Sequence, residues 1–560
     1  MKTYNKILLA LITAIGFSLS SCDDVFDDLS VHPNQQDVNG FYSTPTNINK
    51  GIIGIYSYIT SPRALGASGT GLIFNRGDEG SGRSDYASPG QYTTMLTPSY
   101  YTIVQPYQLF YTAASQACQM IEVIPNVEFV NEVQKNAYLG EAYMLRAFSH
   151  FFLLIHFRNI PLMKELPKSA KDYKPQAKPE EVWDFICDDL IKAKKLLPKK
   201  GYWTGDNIGR VTSASATALL GKVYLYRSGI EKYYGNSTKT YYDEAASAFD
   251  EIIKGDHGHF SLVDDYTWNF DVAHENNDES VFEFQFLGDV VNTGFNPGLA
   301  NSGVWKDPRG LFPPNIDKNN TGLDQVMHDW IYDTFANSKD ADGHTDSRMF
   351  GTLIFNDNAP EISAKSGDKV TVFDGKSFQE TYGEAGFGLS NAKAAKYKSA
   401  GRKWLDWTLP TADPGNKIYF YNQRAHGVNY RYIRYADVLL MYAEAVISGG
   451  KLGSITPLEA VNRVRTRKGV NMPKLVTVDM ASIEHERVLE FTEEGHRFFD
   501  LLRWGKVAER FKEMEVADPD FKQYNISDYL GFQKGKHEWL PIPIDEVEGN
   551  PYITTNNPGW

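Results

Sequence analysis

The sequence predicts a mainly α-helical protein, in which tetratricopeptide-like helix pairs form a scaffold that carries a large irregular, loop-rich insertion with a few short strands. Two observations predict the scaffold. Apolar residues recur at i, i+3, i+4 and i+7 over long stretches, and two such stretches share a Leu-Gly-x-x-Tyr spacing. A third predicts the insertion, because long segments between about 256 and 430 are rich in Gly, Asn, Asp and Pro.

The helical pattern is clearest in the C-terminal part of the chain. A buried stripe with helical spacing is formed there by Tyr435, Val438, Leu439, Tyr442, Ala443 and Val446. The same rhythm occurs in 107–124, 130–156, 180–197, 213–227, 240–254, 457–467 and 482–511. We therefore expect a single body over 41–560, with helical repeats over about 44–255 and 430–515.

Two segments carry a finer pattern, Leu139-Gly140-x-x-Tyr143 and Leu220-Gly221-x-x-Tyr224. In the first helix of a tetratricopeptide repeat, a glycine at this place lets two helices approach closely. Matches to the second helix follow each segment: Ala193 with Pro198, and Ala245 with Phe249. The loops between them exceed the 34-residue repeat, so we expect an interrupted helical repeat.

The insertion, about 256–430, contains one strand signal. Phe282, Phe284 and Phe286 alternate with Glu283 and Gln285, which predicts a half-buried strand. Around it lie long polar segments at 288–325, 336–348 and 399–417. Loops of this length usually carry function.

The N-terminus predicts export. Lys2 and Lys6 precede an uncharged stretch from Ile7 to Leu19, which is the pattern of a signal peptide over 1–21. Leu19-Ser20-Ser21-Cys22 is also typical of lipoprotein processing, in which the thiol of Cys22 is acylated. An ordinary cleavage site beside an incidental cysteine is the alternative. Residues 22–40 are acidic and polar and predict a flexible tether.

The net charge and the number of cysteines argue against nucleic-acid binding and against a disulfide framework. Removal of residues 1–21 takes two lysines from the 57 basic residues and leaves 70 acidic ones, so the net charge becomes 55 − 70 = −15. Nucleic-acid binding needs a cationic surface, so we expect no nucleic-acid partner. Cys118 and Cys187 are too few for a disulfide framework and are predicted to be buried packing residues.

No catalytic or metal motif was found. The chain has no Gly-x-Ser-x-Gly and no His-Glu-x-x-His. Two calcium-like loops, beginning at Asp317 and Asp340, place His328 and Gly351 where a bidentate Glu is needed. We expect no metal, no cofactor and no catalytic residue, although a carboxylate pair for glycoside hydrolysis is not visible in a sequence.

The C-terminal quarter resembles the SusD/RagB family of surface lipoproteins. The resemblance is carried by Arg434-Tyr435-Ala436-Asp437-Val438-Leu439-Leu440-Met441-Tyr442-Ala443-Glu444-Ala445, by Ala460-Val461-Asn462-x-Val464-Arg465, by Glu486-Arg487, by Glu493-x-Gly495-His496-Arg497-Phe498-x-Asp500-Leu501-x-Arg503-Trp504, and by a closing signature (531–560) with Trp539-Leu540-Pro541-Ile542-Pro543 and Asn557-Pro558-Gly559-Trp560. These residues also have a structural interpretation. Glu493, Arg497, Asp500 and Arg503 lie at helical spacing and can form ion pairs that hold the scaffold together.

The resemblance implies a non-catalytic, glycan-capturing protein on the surface of a Bacteroidetes cell. It implies a lipid anchor in the outer membrane, an oligosaccharide ligand, and a SusC-like TonB-dependent outer-membrane transporter as partner, over which the protein acts as a lid. Some relatives are associated with peptide uptake, so a peptide-capturing lid is an alternative. A surface glycoside hydrolase is a further one.

Family members usually place their ligand-binding residues in the loop after the first helix and in the insertion. The matching positions here, predicted to be exposed for glycan contact, are Asp78, Arg83, Asp85, Tyr86 and Tyr92 in the first loop, and Trp305, Trp404 and Trp407 in the insertion. An aromatic ring covers the C–H face of a sugar, and the polar groups hydrogen-bond its hydroxyls. Trp183, Trp504 and Trp539 are predicted to be core residues.

Overall fold

The fold was analysed in a computed structural model. It describes residues 38–61, 63–65, 72–74, 76–82, 92–167, 169, 172–286, 322–323, 325–370, 387–389, 396–404, 428–517 and 530–560. The predicted signal peptide and Cys22, with the predicted tether as far as residue 37, lie outside these residues. Among the described helices, none is both long and apolar enough to cross a membrane.

Six long helices lie in the part of the N-terminal half that the structure describes, which confirms the prediction of a mainly helical fold. They are α1 (Pro45–Thr60), α2 (Tyr101–Val123), α3 (Glu132–Phe157), α4 (Pro179–Leu196), α5 (Ser213–Tyr234) and α6 (Tyr242–Lys254). Consecutive helices pack on one another, with α1 on α2, α2 on α3, α3 on α4, α4 on α5 and α5 on α6. Short helical turns occur at Val38–Phe41, Ile124–Asn126 and Gly205–Asn207.

The sequence sets where these helices begin and end. The side chain of Thr44 accepts a hydrogen bond from the backbone N–H of Asn47, and Pro45 follows at the first helical position of α1. Thr212 forms a capping box with Ser215 at the start of α5. Gly255 ends α6 with a left-handed φ of 81°.

The two repeat glycines lie where two helices touch. A Cβ atom on Gly140 would lie 2.8 Å from Cγ of Leu197, at the end of α4. A Cβ atom on Gly221 would lie 2.7 Å from a ring carbon of Phe249 in α6. Real Cβ atoms do not approach so closely, so both positions need glycine for the close packing of α3 on α4 and of α5 on α6. This confirms the tetratricopeptide-like interpretation of both motifs.

The described residues of the insertion include one longer helix, α7 (Asp329–Asn337), and short helical turns at Tyr266–Phe270, Val272–His274 and Arg348–Thr352. Six further helices follow it: α8 (Tyr435–Ile447), α9 (Pro457–Arg465), α10 (Met480–Phe491), α11 (Arg497–Arg503), α12 (Val507–Ala517) and α13 (Ile544–Gly549). Helix α8 packs on α6 and α9, and α11 packs on α5.

The predicted helix over 482–511 is wrong in one respect, because three helices occupy it. Glu493 and Gly495 have left-handed φ values of 68° and 80° in the turn between α10 and α11. Gly505, with φ 69°, separates α11 from α12. An apolar stripe at helical spacing does not reveal such breaks, since the residues on both sides of each turn remain buried.

Nine short strands lie among the described residues: β1 (Gly80–Gly82), β2 (Ser280–Phe284), β3 (Gly322–Leu323), β4 (Gln325–Met327), β5 (Leu353–Phe355), β6 (Phe387–Leu389), β7 (Lys396–Tyr397), β8 (Ser399–Gly401) and β9 (Tyr430–Arg434). They form a sheet of order β1-β4-β8-β5, a pair β2-β9 and a small sheet β3-β6-β7. All pairs are antiparallel except β3 with β6.

The predicted strand at 280–286 is present, but both of its faces are buried. Glu283 and Gln285, expected on a solvent face, are 5% and 1% exposed. Arg431 in β9 forms an ion pair with Glu283 at 3.2 Å, and the side chain of Asn429 donates to Gln285 at 2.9 Å. Polar residues on a second element cover this face, and alternation alone does not predict them.

One large aromatic-rich core joins the helices. Trp183 and Trp539 are buried as predicted, whereas Trp504 is half-buried and its indole donates to Glu444 at 2.9 Å. Cys118 and Cys187 are buried free thiols, which confirms the prediction for both.

The C-terminal signature closes the body against the end of α3. The backbone N–H of Leu540 donates to the carbonyl of His156 at 2.7 Å. The Asn557 side-chain amide is buried and donates to the carbonyls of Phe157 and Leu540, both at 2.7 Å. The chain then turns at Gly559, which has φ 83°. The signature residues are therefore structural.

Candidate functional site

The four-stranded sheet lies next in the chain to two of the segments predicted to bind ligand. Strand β1 pairs with β4 so that Gly82 lies opposite Gln325. The first-loop candidates Arg83, Asp85 and Tyr86 follow Gly82 directly in the chain. After the undescribed segment that contains Trp305, the chain forms β3 in the small sheet β3-β6-β7 and then enters β4 at Gln325. The end of β1 that leads to the first-loop candidates therefore lies beside the start of β4, a few residues after the segment that carries Trp305.

The third candidate segment begins at the same sheet. Strand β8 pairs with β4 through Ser399 and Met327, and Trp407 lies eight residues after Ser399. Arg83, Asp85, Tyr86, Trp305 and Trp407 lie outside the described residues. Their contact with a ligand stays a prediction.

Asp78 was predicted to bind ligand, but the structure buries it in the scaffold. Arg497 donates to its carboxylate through Nε at 2.8 Å and through Nη2 at 3.2 Å, and Arg510 also pairs with it. Burial alone would raise the pKa of Asp78, but the two guanidinium groups lower it to about 2. The side chain thus ties the first loop to α11 and α12, and the prediction of exposure is wrong.

Tyr92 is also a core residue, 1% exposed. Its ring stacks on His537 with centroids 4.9 Å apart and meets Phe511 and Phe532 edge-on at 5.1 Å. Its hydroxyl donates to the carbonyl of Arg76 at 3.2 Å. The C-terminal signature supplies two of these ring partners, which lie far away in sequence, so a ligand-facing Tyr92 is corrected to a packing residue.

Trp404 is 4% exposed, which contradicts the expectation that a tryptophan in a polar loop lacks core partners. Its ring meets Phe74, Phe270 and Tyr430 at centroid distances of 6.0, 6.1 and 5.6 Å. Its indole N–H donates to the carbonyl of Glu493 at 2.7 Å. These four partners come from four separate segments of the chain, and local composition does not show them.

Glu493 fixes the chain around Trp404. Its carboxylate accepts the backbone N–H groups of Arg402 and Lys403 at 2.9 and 3.2 Å. A Cβ atom on Gly401 would lie 1.4 Å from Oε1 of Glu493, so only glycine fits there. Burial raises the pKa of Glu493 to about 7 and lowers that of Lys403 to about 8. This contact anchors the start of the segment that leads to Trp407.

The other charged residues of the C-terminal motifs were predicted to hold the scaffold together, and their contacts agree with this role. Most of their ion-pair partners, however, lie on other helices or strands and not along the same helix. Asp500 accepts from Arg487 of α10 at 2.7 Å, and Arg503 donates to Glu444 of α8 through Nε at 2.7 Å. Arg434 of β9 pairs with Glu490 at 2.6 Å. Removing one partner from such a buried pair leaves an uncompensated charge, so these contacts specify how the elements dock.

Sequence analysis missed one exposed tryptophan in the insertion. Trp268 is 37% exposed, and its ring stacks on His274 with centroids 4.4 Å apart and planes 6° apart. It lies in the polar stretch Asp264-Asp265-Tyr266-Thr267-Trp268-Asn269. The signal applied to Trp404, a tryptophan among polar residues, could have found it. Because the Trp268 ring is partly exposed, it can cover the C–H face of a sugar.

The second calcium-like loop brings possible ligand atoms together. Atoms of Asp340, Asp342 and His344 lie within 4.8 Å of one another. One oxygen of Asp340 already accepts the backbone N–H groups of Asp342 and His344, at 2.9 and 2.8 Å. This carboxylate therefore stabilises its own turn.

Comparisons with known proteins place the fold and these motifs in context. The family model described as "SusD family" matches residues 278–560, and the model described as "Starch-binding associating with outer membrane" matches 29–225. A SusD-like protein P2 of Formosa agariphila is 23% identical over 100% of both chains. A SusD superfamily protein from Bacteroides vulgatus is 25% identical, with a TM-score of 0.70 over 93% of this chain and 100% of that one. A laminarin-binding SusD-like protein is 24% identical, with a TM-score of 0.67 over 93% and 100%.

The fold and the motifs thus define a helical-repeat protein with an irregular insertion and a structural C-terminal signature. The chain belongs to the SusD family. This confirms the resemblance seen in its C-terminal quarter.

Proposed function

We propose that this protein is a non-catalytic glycan-binding lipoprotein of the outer-membrane surface. Membership of the SusD family carries the proposal. One similar solved structure is named as laminarin-binding, and one matching family model is named as starch-binding. Both names support a carbohydrate ligand. The name of the second model also supports an association with the outer membrane.

The ligand would bind beside the strand ends of the four-stranded sheet, at the end of β1, the start of β4 and the end of β8. Tyr86, Trp305 and Trp407 supply aromatic faces, and Arg83 and Asp85 supply hydrogen-bonding groups for sugar hydroxyls. The pairing of Gly82 with Gln325 supports a shared site, because it brings together two of the segments that carry these residues.

Delivery would follow capture. Acyl chains on Cys22 hold the protein to the outer membrane, and the acidic tether over 22–40 lets the body move. In this proposal the body is a lid that passes oligosaccharides to a SusC-like TonB-dependent transporter. The negative charge predicted for the mature chain is compatible with neutral sugars and unsuited to nucleic acid.

Isothermal titration of the full-length, detergent-solubilised protein tests the site. After a panel of polysaccharides that includes laminarin has identified a ligand, Tyr86→Ala, Trp305→Ala and Trp407→Ala should each weaken binding about tenfold, in line with the loss of a stacked ring. Tyr202→Ala is the control, because Tyr202 is an exposed tyrosine of the helical half. Unchanged affinity in all three variants would refute the site.

A reducing-end assay on the same mixtures separates the alternatives. A binder releases no reducing ends, whereas a surface glycoside hydrolase does. If only short peptides co-purify with the protein and no glycan binds, the peptide-capturing alternative replaces the proposal.

A further inference from the structure

The turn between α10 and α11 holds the end of strand β8 through the side chain of Glu493. One oxygen of this carboxylate, Oε2, accepts the backbone N–H groups of Arg402 and Lys403 at 2.9 and 3.2 Å. The other oxygen lies against Gly401, where a Cβ atom would overlap it. One side-chain group therefore docks three consecutive residues of the insertion on the scaffold.

The backbone of this turn has an unusual conformation. Glu493 has a left-handed φ of 68°, which residues other than glycine rarely adopt, and Gly495 has φ 80°. The carbonyl of Glu493 accepts the indole N–H of Trp404 at 2.7 Å. Such a backbone conformation persists only where surrounding contacts hold it, so the turn and the end of β8 stabilise each other.

Glu493 is 3% exposed, and titratable groups from several elements surround it. They are Arg402 and Lys403 after β8, Glu79 before β1, Glu494 in the turn itself, and Tyr430 and Arg434 of β9. Lys403 and Arg434 each pair with Glu494 at 2.7 Å. Their charge is therefore shared with Glu494, and the hydrogen bonds that Glu493 accepts from the β8 side come from neutral backbone N–H groups.

The docked carboxyl group favours its neutral form. Burial raises the pKa of Glu493 to about 7, whereas a glutamate in water has a pKa of about 4.3. The carbonyl oxygen of a neutral acid still accepts two N–H groups, so protonation keeps the contact. Above pH 7 the buried group becomes charged, and a local opening that brings it into water becomes more populated. This pH dependence is opposite to that of a salt bridge, which acid weakens.

We propose that the contact between Glu493 and the end of β8 is a proton-dependent switch, which docks residues 399–404 on the turn when Glu493 is protonated and loosens them when it is ionised. The change is confined to the described residues 399–404 and 491–495. It makes the attachment of this part of the insertion depend on pH near neutrality. The proposal goes beyond glycan capture and does not require it.

Amide hydrogen exchange of the full-length, detergent-solubilised protein at pH 5.5 and pH 7.5 tests the switch, after correction for the intrinsic exchange rate. Protection of the peptide that contains Lys403 should fall about tenfold or more, because the docked and open states differ in proton affinity over this range. The pKa of Lys403 is about 8, so its side chain stays mainly charged throughout. Peptides from α3 report global unfolding. A constant protection, or a fall that α3 matches, would overturn the proposal.

Two variants identify the titrating group. Glu493→Gln has the shape of the neutral acid and cannot ionise, so protection at Lys403 relative to α3 should be similar at both pH values. Asp479→Asn is the matched control. Asp479 is an exposed carboxylate that also accepts a backbone N–H, that of Ser482 at 2.8 Å, and its hydrogen bonds with Ser482 lower its pKa. This variant should keep the wild-type fall. If Glu493→Gln also keeps it, another group titrates and the proposal is wrong; the wild-type profile tests the switch without any variant.

Discussion

At the scale of single residues, buried polar groups decide which motif residues are structural. Asp78, Tyr92 and Trp404 match the composition of a ligand-binding loop, yet each has partners more than 80 residues away in the chain. The residue types were visible in the sequence, but these distant partners were not. By contrast, Cys118 and Cys187 were predicted correctly because their flanks alone indicate amphipathic helices.

Asp78 and Asp85 are seven residues apart, but Asp78 is part of the scaffold and Asp85 is proposed to bind ligand. Variants of the two residues should therefore behave differently. Asp78→Asn should lower the free energy of unfolding by about 3 kcal/mol, because it leaves the guanidinium groups of Arg497 and Arg510 without their partner. Asp85→Asn should leave stability nearly unchanged and weaken glycan binding. Urea unfolding and titration of both variants check this. A stable Asp78→Asn variant would contradict the scaffold role.

His150 makes stability depend on pH. Its Nδ1 faces the carbonyl of Arg146 at 2.9 Å and its Nε2 accepts the N–H of Met163 at 3.3 Å, so the folded protein holds a neutral ring. Burial lowers the pKa of His150 to about 4. Because the unfolded chain binds a proton below about pH 6.5, this contribution is complete above pH 6.5 and is lost as the pH falls towards 4.

Urea unfolding at pH 7.5 and pH 5.0 measures this effect. His150→Asn should be destabilised at pH 7.5, but should lose about 2 kcal/mol less than the wild type between the two pH values, since it takes up one proton fewer on unfolding. Equal pH dependence of the two proteins would show that His150 is already protonated in the fold.

At the scale of helices and strands, the sequence was most informative where periodicity is long. Seven of the eight predicted helical stretches correspond to single helices, and the ends agree within about two residues in helices such as α3, α4 and α6, whereas α2 begins at Tyr101 and α5 ends at Tyr234, several residues beyond the prediction. The eighth breaks into three at turns with left-handed φ, at Glu493, Gly495 and Gly505. The pairing of strands such as β1 with β4 was not predictable, because strands of two or three residues are too short to show an alternating hydrophobic pattern.

The repeat glycines give an element-scale prediction. Gly221→Ala should lower stability by about 1–3 kcal/mol, because the added Cβ would clash with Phe249 and this overpacking outweighs the better helix propensity of alanine. Gly54→Ala in α1 is the control, since no atom lies within 4 Å of a Cβ there, and it should stabilise by up to about 1 kcal/mol. Thermal or urea unfolding of both variants measures these changes in stability. Stabilisation by both substitutions would contradict close packing at Gly221.

At the scale of the whole molecule, the described residues form a helical scaffold around one large core, and the insertion is attached to it. Its buried charge pairs and C-terminal signature dock the elements, and the sheet at Gly82 and Gln325 is where two candidate segments start or end. The scaffold could be predicted from the sequence because a helix pair leaves a local pattern. The geometry of the candidate site could not, since it depends on how three distant segments meet.

The proposed lipid anchor gives a prediction for the cell. Cys22→Ser should release the protein from the membrane fraction, because without acyl chains no buried hydrocarbon holds it there. Membrane fractionation with a labelled fatty acid checks this. If the variant still carries the label and still sediments with membranes, Cys22 is not the modified residue.

The central claim is that the protein binds glycan without cleaving it. Electrophoresis of the wild-type protein through native gels that contain single polysaccharides, with reducing ends measured in parallel, tests it most directly. We expect at least one polysaccharide to retard the wild type, with no new reducing ends and with loss of retardation when Tyr86, Trp305 and Trp407 are all replaced by alanine. Unretarded migration in every polysaccharide of a broad panel, or release of reducing ends, would contradict the account.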